Sequence, residues 1–148
     1  MTETRKILLV EDDPKDVELT LAAVREIEAA RDVVVITNGD EALDYLYRRG
    51  KFGNRAEGLP ALILLDIKLP LVSGLEVLRS IKSDDALQPV PVVMLTSSRE
   101  QSDVDESYRL GANAYVVKPL DFPEYVTSVK DLCLFWAGLN QPPSICTS

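Results

Sequence analysis

The stretch ALILLDIKLP, residues 61–70, decides the fold because it places a carboxylate directly after a buried strand. Ala61–Leu65 is a continuous apolar run, and Asp66 follows it at once. Apolar runs without alternation are typical of strands that are covered on both faces, as in parallel sheets. Burial fixes the position of such a strand, and the strand end then aims the Asp66 carboxylate.

The rest of the chain alternates short apolar runs with longer helical segments. The predicted strands are Lys6–Val10, Val33–Ile36, Ala61–Leu65, Pro91–Leu95 and Ala114–Val117. The predicted helices lie near residues 14–30, 39–49, 74–83, 100–110 and 122–137. Five strand–helix units in alternation predict an α/β fold, a doubly wound five-stranded parallel sheet with helices on both sides.

Polar residues mark the predicted helix starts. Asp13 precedes a proline at a first helical position, which is typical of an N-cap. Capping-box spacing occurs at Asn38–Glu41, Ser73–Glu76 and Ser98–Gln101. The connection from Arg48 to Pro60 is rich in glycine and charge and is predicted to be a surface loop, and the tail from Gly138 is predicted to be irregular.

Length and composition favour one globular domain. The chain has 148 residues, of which 46% are hydrophobic and 27% charged. It has no apolar run of about 18 residues, so we expect no membrane span, and its acidic N-terminal region does not suit a secretory signal. We therefore expect a cytoplasmic protein in which Cys133 and Cys146 are reduced thiols.

Charge and the missing histidine exclude several functions. The net charge of −8 argues against nucleic-acid binding, which usually needs a basic surface. The chain contains no histidine, which excludes Ser-His catalysis and His-ligated zinc.

Polar residues follow four of the predicted strands. Ligands of such sheets bind outside the carboxyl ends of the strands, so these side chains should converge. They are Glu11 and Asp12 after the first strand, Asp66 after the third, Thr96 and Ser97 after the fourth, and Lys118 after the fifth.

Three crowded carboxylates repel one another, and their charge must be offset. Lys118 supplies one positive charge and a divalent cation would supply two, and oxygen ligands in an open site favour Mg²⁺. A carboxylate in that setting can attack phosphorus and form an aspartyl phosphate. Thr96 and Lys118 could then contact phosphoryl oxygens.

The motifs LLVEDDP, LILLDIKLPLVSG, VVMLTSS and AYVVKPL, in this order, resemble the receiver domain of two-component response regulators. The resemblance spans about Arg5 to Trp136. It implies that Asp66 is the phospho-acceptor and also a metal ligand, that Asp12 binds the metal directly, and that Glu11 acts through water. It also implies that the backbone carbonyl of Lys68 is a metal ligand.

The same resemblance assigns the remaining site residues. Thr96 would be the switch hydroxyl, Lys118 the lysine that contacts the phosphoryl group, and Tyr115 the switch aromatic. Pro119 would follow a cis peptide bond. The implied topology is flavodoxin-like with strand order 2-1-3-4-5.

The loop at residues 48–60 and the LFWAGL ending resemble a narrower group, the single-domain regulators that partner phytochrome-type histidine kinases. The resemblance implies a receiver domain over residues 1–138 and a tail over 139–148. A sensor histidine kinase would donate the phosphoryl group in a phosphorelay. The signal would leave through the face of helix 4, strand 5 and helix 5 to a downstream protein or phosphotransfer partner.

The last helix carries two apolar stripes at helical spacing. The first is Phe122, Val126, Val129, Cys133 and Trp136, and the second is Tyr125, Leu132, Phe135 and Leu139. Together they exceed the apolar width that a one-sided surface helix needs. Either the tail folds back over the second stripe, or the second stripe forms a twofold homodimer interface.

Three alternatives compete with a phospho-accepting regulator that is not itself an enzyme. An aspartyl-phosphate phosphatase would carry a second Asp two residues after the nucleophile, where this chain has Lys68. A flavodoxin-like electron carrier would need a phosphate-binding loop after the first strand, but EDDPKD is acidic. A receiver-like interaction module that is never phosphorylated would not need the complete acceptor set.

Overall fold

The computed structural model of the chain describes residues 5–27, 32–56 and 58–146. Within these residues five parallel strands form one sheet in the order β2-β1-β3-β4-β5, so the predicted fold class and strand order are confirmed. The strands are Lys6–Val10 (β1), Asp32–Ile36 (β2), Leu62–Leu65 (β3), Val92–Thr96 (β4) and Ala114–Val117 (β5). Each bound lies within one residue of its predicted position.

Helices connect the strands and cover both faces of the sheet. They are Pro14–Arg25 (α1), Gly39–Tyr47 (α2), Gly74–Ser83 (α3), Gln101–Arg109 (α4) and Phe122–Cys133 (α5). The last helix continues as a π-helical segment, Leu134–Leu139, and short 3₁₀ turns form at Gly50–Phe52 and Ser144–Cys146. The sequence predicts the first helix near residues 14–30, but the helix ends at Arg25. Residues 28–31 lie outside the described part of the chain.

Side-chain caps begin three of the helices as the sequence predicts. The bonds run from Lys15 N to Asp13 Oδ1 (2.9 Å), from Glu41 N to Asn38 Oδ1 (2.8 Å) and from Glu76 N to Ser73 Oγ (3.3 Å). Each side chain satisfies a backbone N–H that the helix itself leaves unpaired.

The predicted cap at Ser98 is wrong. Helix α4 begins after Glu100, whose side chain makes no capping hydrogen bond. The Ser98 hydroxyl instead donates to Asp103 Oδ2 at 2.5 Å. The first turn of α4 therefore offers Ser98 a carboxylate acceptor, and the helix starts two residues later than the capping-box spacing implies.

The strands bury alternate side chains in two cores, as the two-residue period of a strand requires. Ile7 and Leu9 of β1 face the core under α1 and α5, called here the α1–α5 face. Leu8 and Val10 face the core under α2 and α3, called the α2–α3 face. Every residue of Leu62–Leu65 is fully buried, which confirms the covered central strand that the opening stretch predicts.

The C-terminal tail crosses under the sheet at the edge where the strands begin, called here the amino edge. Arg5 Nη1 donates to the carbonyl oxygens of Ala137 (2.8 Å), Gly138 and Asn140 (both 3.2 Å). Further along, the tail packs Cys146 into the core of the α2–α3 face. The tail therefore leaves the α5 face instead of folding back over it, and Leu139 stays 81% exposed.

The tail is more regular than predicted, whereas the connection before β3 is the mostly exposed loop that the sequence predicts. Part of the tail is a 3₁₀ turn, and Leu59 N donates to Ile145 O at 2.9 Å, which ties the tail to the start of β3. The connection before β3 is also organised, because the Arg55 guanidinium stacks over the Tyr45 ring at 4.4 Å and donates to Tyr45 O. Packing against the helix α2 side of the molecule orders both segments.

No helix in the described ranges is long and apolar enough to span a membrane.

Candidate functional site

The carboxyl ends of β1, β3 and β5 bring three of the predicted site residues into direct contact. Lys118 Nζ lies 2.5 Å from Glu11 Oε1 and 2.8 Å from Asp66 Oδ2. All three residues are buried, although each carries an ionisable group. Buried charges are tolerated where they are paired and hydrogen-bonded, as these are.

Glu11, Asp12 and Asp66 form the acidic cluster. One carboxylate oxygen from each lies within 4.8 Å of the others, and Asp12 is exposed to solvent while the other two are buried. Mg²⁺ prefers carboxylate oxygens and keeps several waters. An all-oxygen donor set with one open side fits that preference, so these three residues could hold the ion.

The backbone around Asp66 is fixed by two close contacts. Ile67 N donates to Asp66 Oδ1 at 2.7 Å, and Gly74 N donates to Ile67 O at 2.7 Å. A Cβ atom at Gly74 would lie 1.9 Å from Asp66 O, so only glycine fits there. The first residue of α3 therefore packs directly under the backbone that carries Asp66, and Lys68 is exposed in the loop between them.

Burial and charge shift two pKa values at this edge. Burial raises the pKa of Glu11 to about 7, although Lys118 opposes the shift. Burial also disfavours the charged form of Lys118, but its hydrogen bonds to carboxylates outweigh burial and raise the pKa of Lys118 above its usual value. Lys118 is therefore a fixed positive charge beside Asp66 at any physiological pH.

Asp16 is a site residue that the sequence analysis missed. Its Oδ2 lies 2.8 Å from Lys118 Nζ, and it comes from the first turn of α1 rather than from a strand end. Asp16 lies four residues beyond Asp12, past the strand end at which the site residues were expected. Its position three residues after the N-cap Asp13, at the start of the helix that follows β1, is the signal that could have found it.

Thr96 and Tyr115 meet at Ser98. Ser98 N donates to Thr96 Oγ1 at 3.4 Å, and the Tyr115 hydroxyl donates to Ser98 O at 2.9 Å. Thr96 is fully buried at the end of β4, and its carbonyl accepts from Lys118 N at 2.8 Å. The structure therefore connects both predicted switch residues through one short segment.

The prediction of a cis bond before Pro119 is wrong, since no cis peptide bond occurs among the described residues. For a bond that precedes proline the trans form is favoured by about 0.5–1 kcal/mol.

The prediction that Tyr125 lies in a dimer interface is also wrong. Tyr125 is 2% exposed, packs in the core of the α1–α5 face, and its hydroxyl lies 3.4 Å from Thr20 Oγ1, so no partner can reach it. The residues of this helical segment that are buried recur every four positions: Tyr125, Val129, Cys133 and Ala137. Because these four residues face the core, Phe135 lies on the outer side and is 48% exposed. Phe122, which belongs to the first stripe predicted from the sequence, is exposed as well.

The fold and this edge define a class: a doubly wound α/β domain with an acidic cluster and a buried lysine at the carboxyl ends of its strands. The response regulator receiver domain model matches residues 7–130, and the chain belongs to that family. Phosphorylation on an aspartate and binding of Mg²⁺ are typical of the family, and a receiver domain implies a histidine kinase as its partner.

Three similar proteins illustrate the relationship. Response regulator Rcp1 of Synechocystis sp. is 35% identical over 88% of this chain and 87% of its own length. A structure of the Mn²⁺-bound form of Rcp1 superposes with a TM-score of 0.90, covering 95% of this chain and 99% of that one, at 33% identity. Receiver domains bind Mg²⁺ or Mn²⁺ at an acidic site, and this chain has an acidic cluster.

The other two are described as phytochrome regulators. The structure of the phosphorylated cyanobacterial phytochrome response regulator RcpA has a TM-score of 0.90 and 38% identity, covering 95% of this chain and 99% of that one. The bacteriophytochrome response regulator RtBRR is 55% identical, with a TM-score of 0.76 and coverage of 95% and 85%.

Proposed function

We propose that this chain is a single-domain response regulator that accepts a phosphoryl group on Asp66 from a sensor histidine kinase. The observation that carries the proposal is the contact between Asp66 and the buried Lys118, beside an acidic cluster that suits Mg²⁺. Phosphoryl transfer requires alignment and charge stabilisation more than elaborate covalent chemistry, and this edge offers both.

The transfer follows from the positions of these groups. A carboxylate oxygen of Asp66 bonds to phosphorus as the bond from phosphorus to the donor's imidazole nitrogen breaks, and the imidazole leaves. Lys118 stabilises the negative charge on the transferred oxygens. Bound Mg²⁺ would supply further positive charge there, held by Asp12 and Asp66, by Glu11 through water, and by the backbone carbonyl of Lys68.

The switch acts through Thr96 and Tyr115. New phosphoryl oxygens attract the Thr96 hydroxyl. Because Ser98 contacts both residues, movement of Thr96 shifts the segment that holds the Tyr115 hydroxyl. Tyr115 lies on β5, so we place the output at the face of α4, β5 and α5.

We propose a phytochrome-type kinase as the donor, since RcpA and RtBRR are described as phytochrome response regulators. The protein would act in the cytoplasm, with the receiver domain over residues 1–138 and the tail over 139–148. It would signal to a downstream protein or phosphotransfer partner rather than turn over a substrate as an enzyme. Lys68 supports this, since it stands where a phosphatase of this chemistry carries its second Asp.

Labelling with acetyl phosphate tests the acceptor. The wild-type protein should be labelled in the presence of Mg²⁺ and should not be labelled when Mg²⁺ is chelated beforehand, and Asp66→Asn should abolish labelling. Asp85→Asn, which changes an exposed Asp outside the site, should be labelled like the wild type. Labelling of Asp66→Asn would move the acceptor elsewhere and refute the proposal.

We further propose a homodimer formed by Leu132, Phe135 and Leu139. Phe135 and Leu139 expose large apolar surfaces at the end of the α5 segment, next to half-buried Leu132. Exposed apolar patches mark contact surfaces, and a twofold dimer makes such a patch self-complementary. Phe135→Ala with Leu139→Ala should shift sedimentation toward the monomer, whereas Leu71→Ala, which trims an exposed leucine elsewhere, should not. An unchanged dimer in the double variant would exclude this interface.

A further inference from the structure

Lys118 has three N–H donors, and each meets a different carboxylate. Nζ lies 2.5 Å from Glu11 Oε1, 2.8 Å from Asp66 Oδ2 and 2.8 Å from Asp16 Oδ2. Lys118 and Asp16 are largely buried, with 6% and 14% of their side chains exposed. Of the three partners, Asp16 alone stands outside the acidic cluster of Glu11, Asp12 and Asp66.

We propose that Asp16 is a positioning residue for Lys118, which it holds on the α1 side of Asp66 so that the ammonium faces the transferred oxygens. The inference rests on the proposed function. It gives a residue of α1, outside the strand ends, the role of positioning Lys118 during phosphoryl transfer.

The two other partners of Lys118 change during the reaction. Glu11 shares its charge with the divalent cation that the cluster suits, and an oxygen of Asp66 becomes bonded to phosphorus. Asp16 does neither, so its bond to Lys118 can persist from the free site to the phosphorylated one. A lysine has a flexible four-carbon stem, and without a persistent partner its ammonium samples more positions.

Asp16 is itself held in place. The N-cap at Asp13 fixes the first turn of α1, where Val17 N donates to Asp13 O at 3.0 Å. One turn later the fully buried Thr20 hydroxyl donates to Asp16 O at 2.8 Å. The helix cap and the hydrogen bond to its carbonyl hold the backbone of Asp16 in place. Its carboxylate can therefore hold the Lys118 ammonium in a defined position.

A role as a simple negative charge makes the opposite prediction. If Asp16 only repelled an anionic donor, its removal would strengthen donor binding and leave the rate at saturation unchanged or higher. Loss of positioning instead lowers the rate at saturation, because Lys118 stabilises the oxygens in the transition state.

The test measures phosphorylation of intact protein by acetyl phosphate over a range of donor and Mg²⁺ concentrations. Asp16→Ala should lower the rate at saturation about tenfold, and Asp16→Asn, which keeps an uncharged acceptor, should lower it about threefold. The Mg²⁺ concentration for half-maximal rate should not change, since Asp16 lies outside the acidic cluster. Glu18→Gln removes the same charge from an exposed position of α1 and should match the wild type in every measurement.

A saturated rate in Asp16→Asn equal to or above that of the wild type would overturn the inference. If circular dichroism shows that Asp16→Ala is unfolded, the nearly isosteric Asp16→Asn decides the question alone. Failure of the wild type to be labelled would refute the proposed function, whereas a labelled wild type with unaffected Asp16 variants would refute only the role of Asp16.

Discussion

The two edges of the sheet each hold cations, Lys118 buried at one and Lys82 and Arg5 half-buried at the other, and they satisfy them in different ways. At the carboxyl edge Lys118 meets three carboxylates. At the amino edge Lys82 Nζ donates to the carbonyl oxygens of Gln88 and Val90, each at 2.8 Å, and Arg5 donates to three carbonyls of the segment that ends α5 and begins the tail.

Charged acceptors can exchange partners with a metal ion or a phosphoryl group, whereas backbone carbonyls are part of the fold itself. Carboxylates are concentrated at the carboxyl edge, where the proposed phosphoryl transfer needs charge. Backbone carbonyls are sufficient at the amino edge, where the cations only stabilise the fold. At the carboxyl edge both partners of each bond to Lys118 carry a charge, whereas at the amino edge only the donor does, so the carboxyl edge should respond more strongly to substitution.

Lys118→Met should produce the largest effect. Removal of one partner from a buried ion pair typically costs about 3–5 kcal/mol, since the remaining charges are left uncompensated. We expect a loss of this order in the free energy of unfolding without Mg²⁺, partial recovery when Mg²⁺ is added, and no labelling by acetyl phosphate. Urea denaturation with and without Mg²⁺ measures the change.

Lys82→Met is the matched control at the amino edge. It leaves carbonyl oxygens without one donor, a loss of about 1–3 kcal/mol that Mg²⁺ should not restore. Equal losses and equal Mg²⁺ responses in the two variants would show that the edges do not differ as described.

Gly74→Ala should have the next largest effect, because it disturbs the backbone that carries the acceptor. The added Cβ would lie 1.9 Å from Asp66 O, and overpacking of this kind typically costs about 1–3 kcal/mol. We expect a lower melting temperature and slower phosphorylation. Gly53→Ala, whose Cβ would meet its nearest atom, Gly50 O, at 3.4 Å, should change neither. A variant at Gly74 with wild-type stability would contradict the close packing of α3 under Asp66.

Arg5→Gln should produce the smallest effect on stability, and the effect should be limited to the amino edge. It removes charged donors from the tail carbonyls, for a loss of about 1 kcal/mol. Burial raises the pKa of the Cys146 thiol to about 11, so little thiolate exists at pH 8 and iodoacetamide should react slowly in the wild type.

A loosened tail should expose Cys146 and speed its alkylation, measured by mass spectrometry, while labelling by acetyl phosphate stays at the wild-type level. Cys133, whose pKa burial raises to about 12, should remain protected in both proteins. If Cys146 reacts equally fast in wild type and variant, Arg5 does not hold the tail.

Most of the fold could be predicted from the sequence because its signals are local. A run such as Leu62–Leu65 has no polar alternation, so it must be covered on both faces. Helix caps at Asn38 and Ser73 depend on residues only three positions apart. The convergence of Glu11, Asp66 and Lys118 also follows, since parallel strands end at one edge.

Of the predictions that were wrong, one depends on a contact between distant segments and another on a competing local contact. Tyr125 lies on an apolar stripe, but only the position of α1 makes it a buried residue with a hydroxyl near Thr20. Ser98 has capping-box spacing, yet the carboxylate of Asp103 binds its hydroxyl.

The sequence by itself determined the alternation of strands and helices and the polar residues at four strand ends, because these depend on neighbours in the chain, and the resemblance of its motifs to receiver domains implied the sheet order. Only the tertiary structure decided that Asp16 shares Lys118 and that the tail crosses the amino edge to bury Cys146. Those contacts join residues 102 positions apart in one case and opposite faces of the sheet in the other. No local pattern encodes such pairings, because they form only when the helices have packed on the sheet.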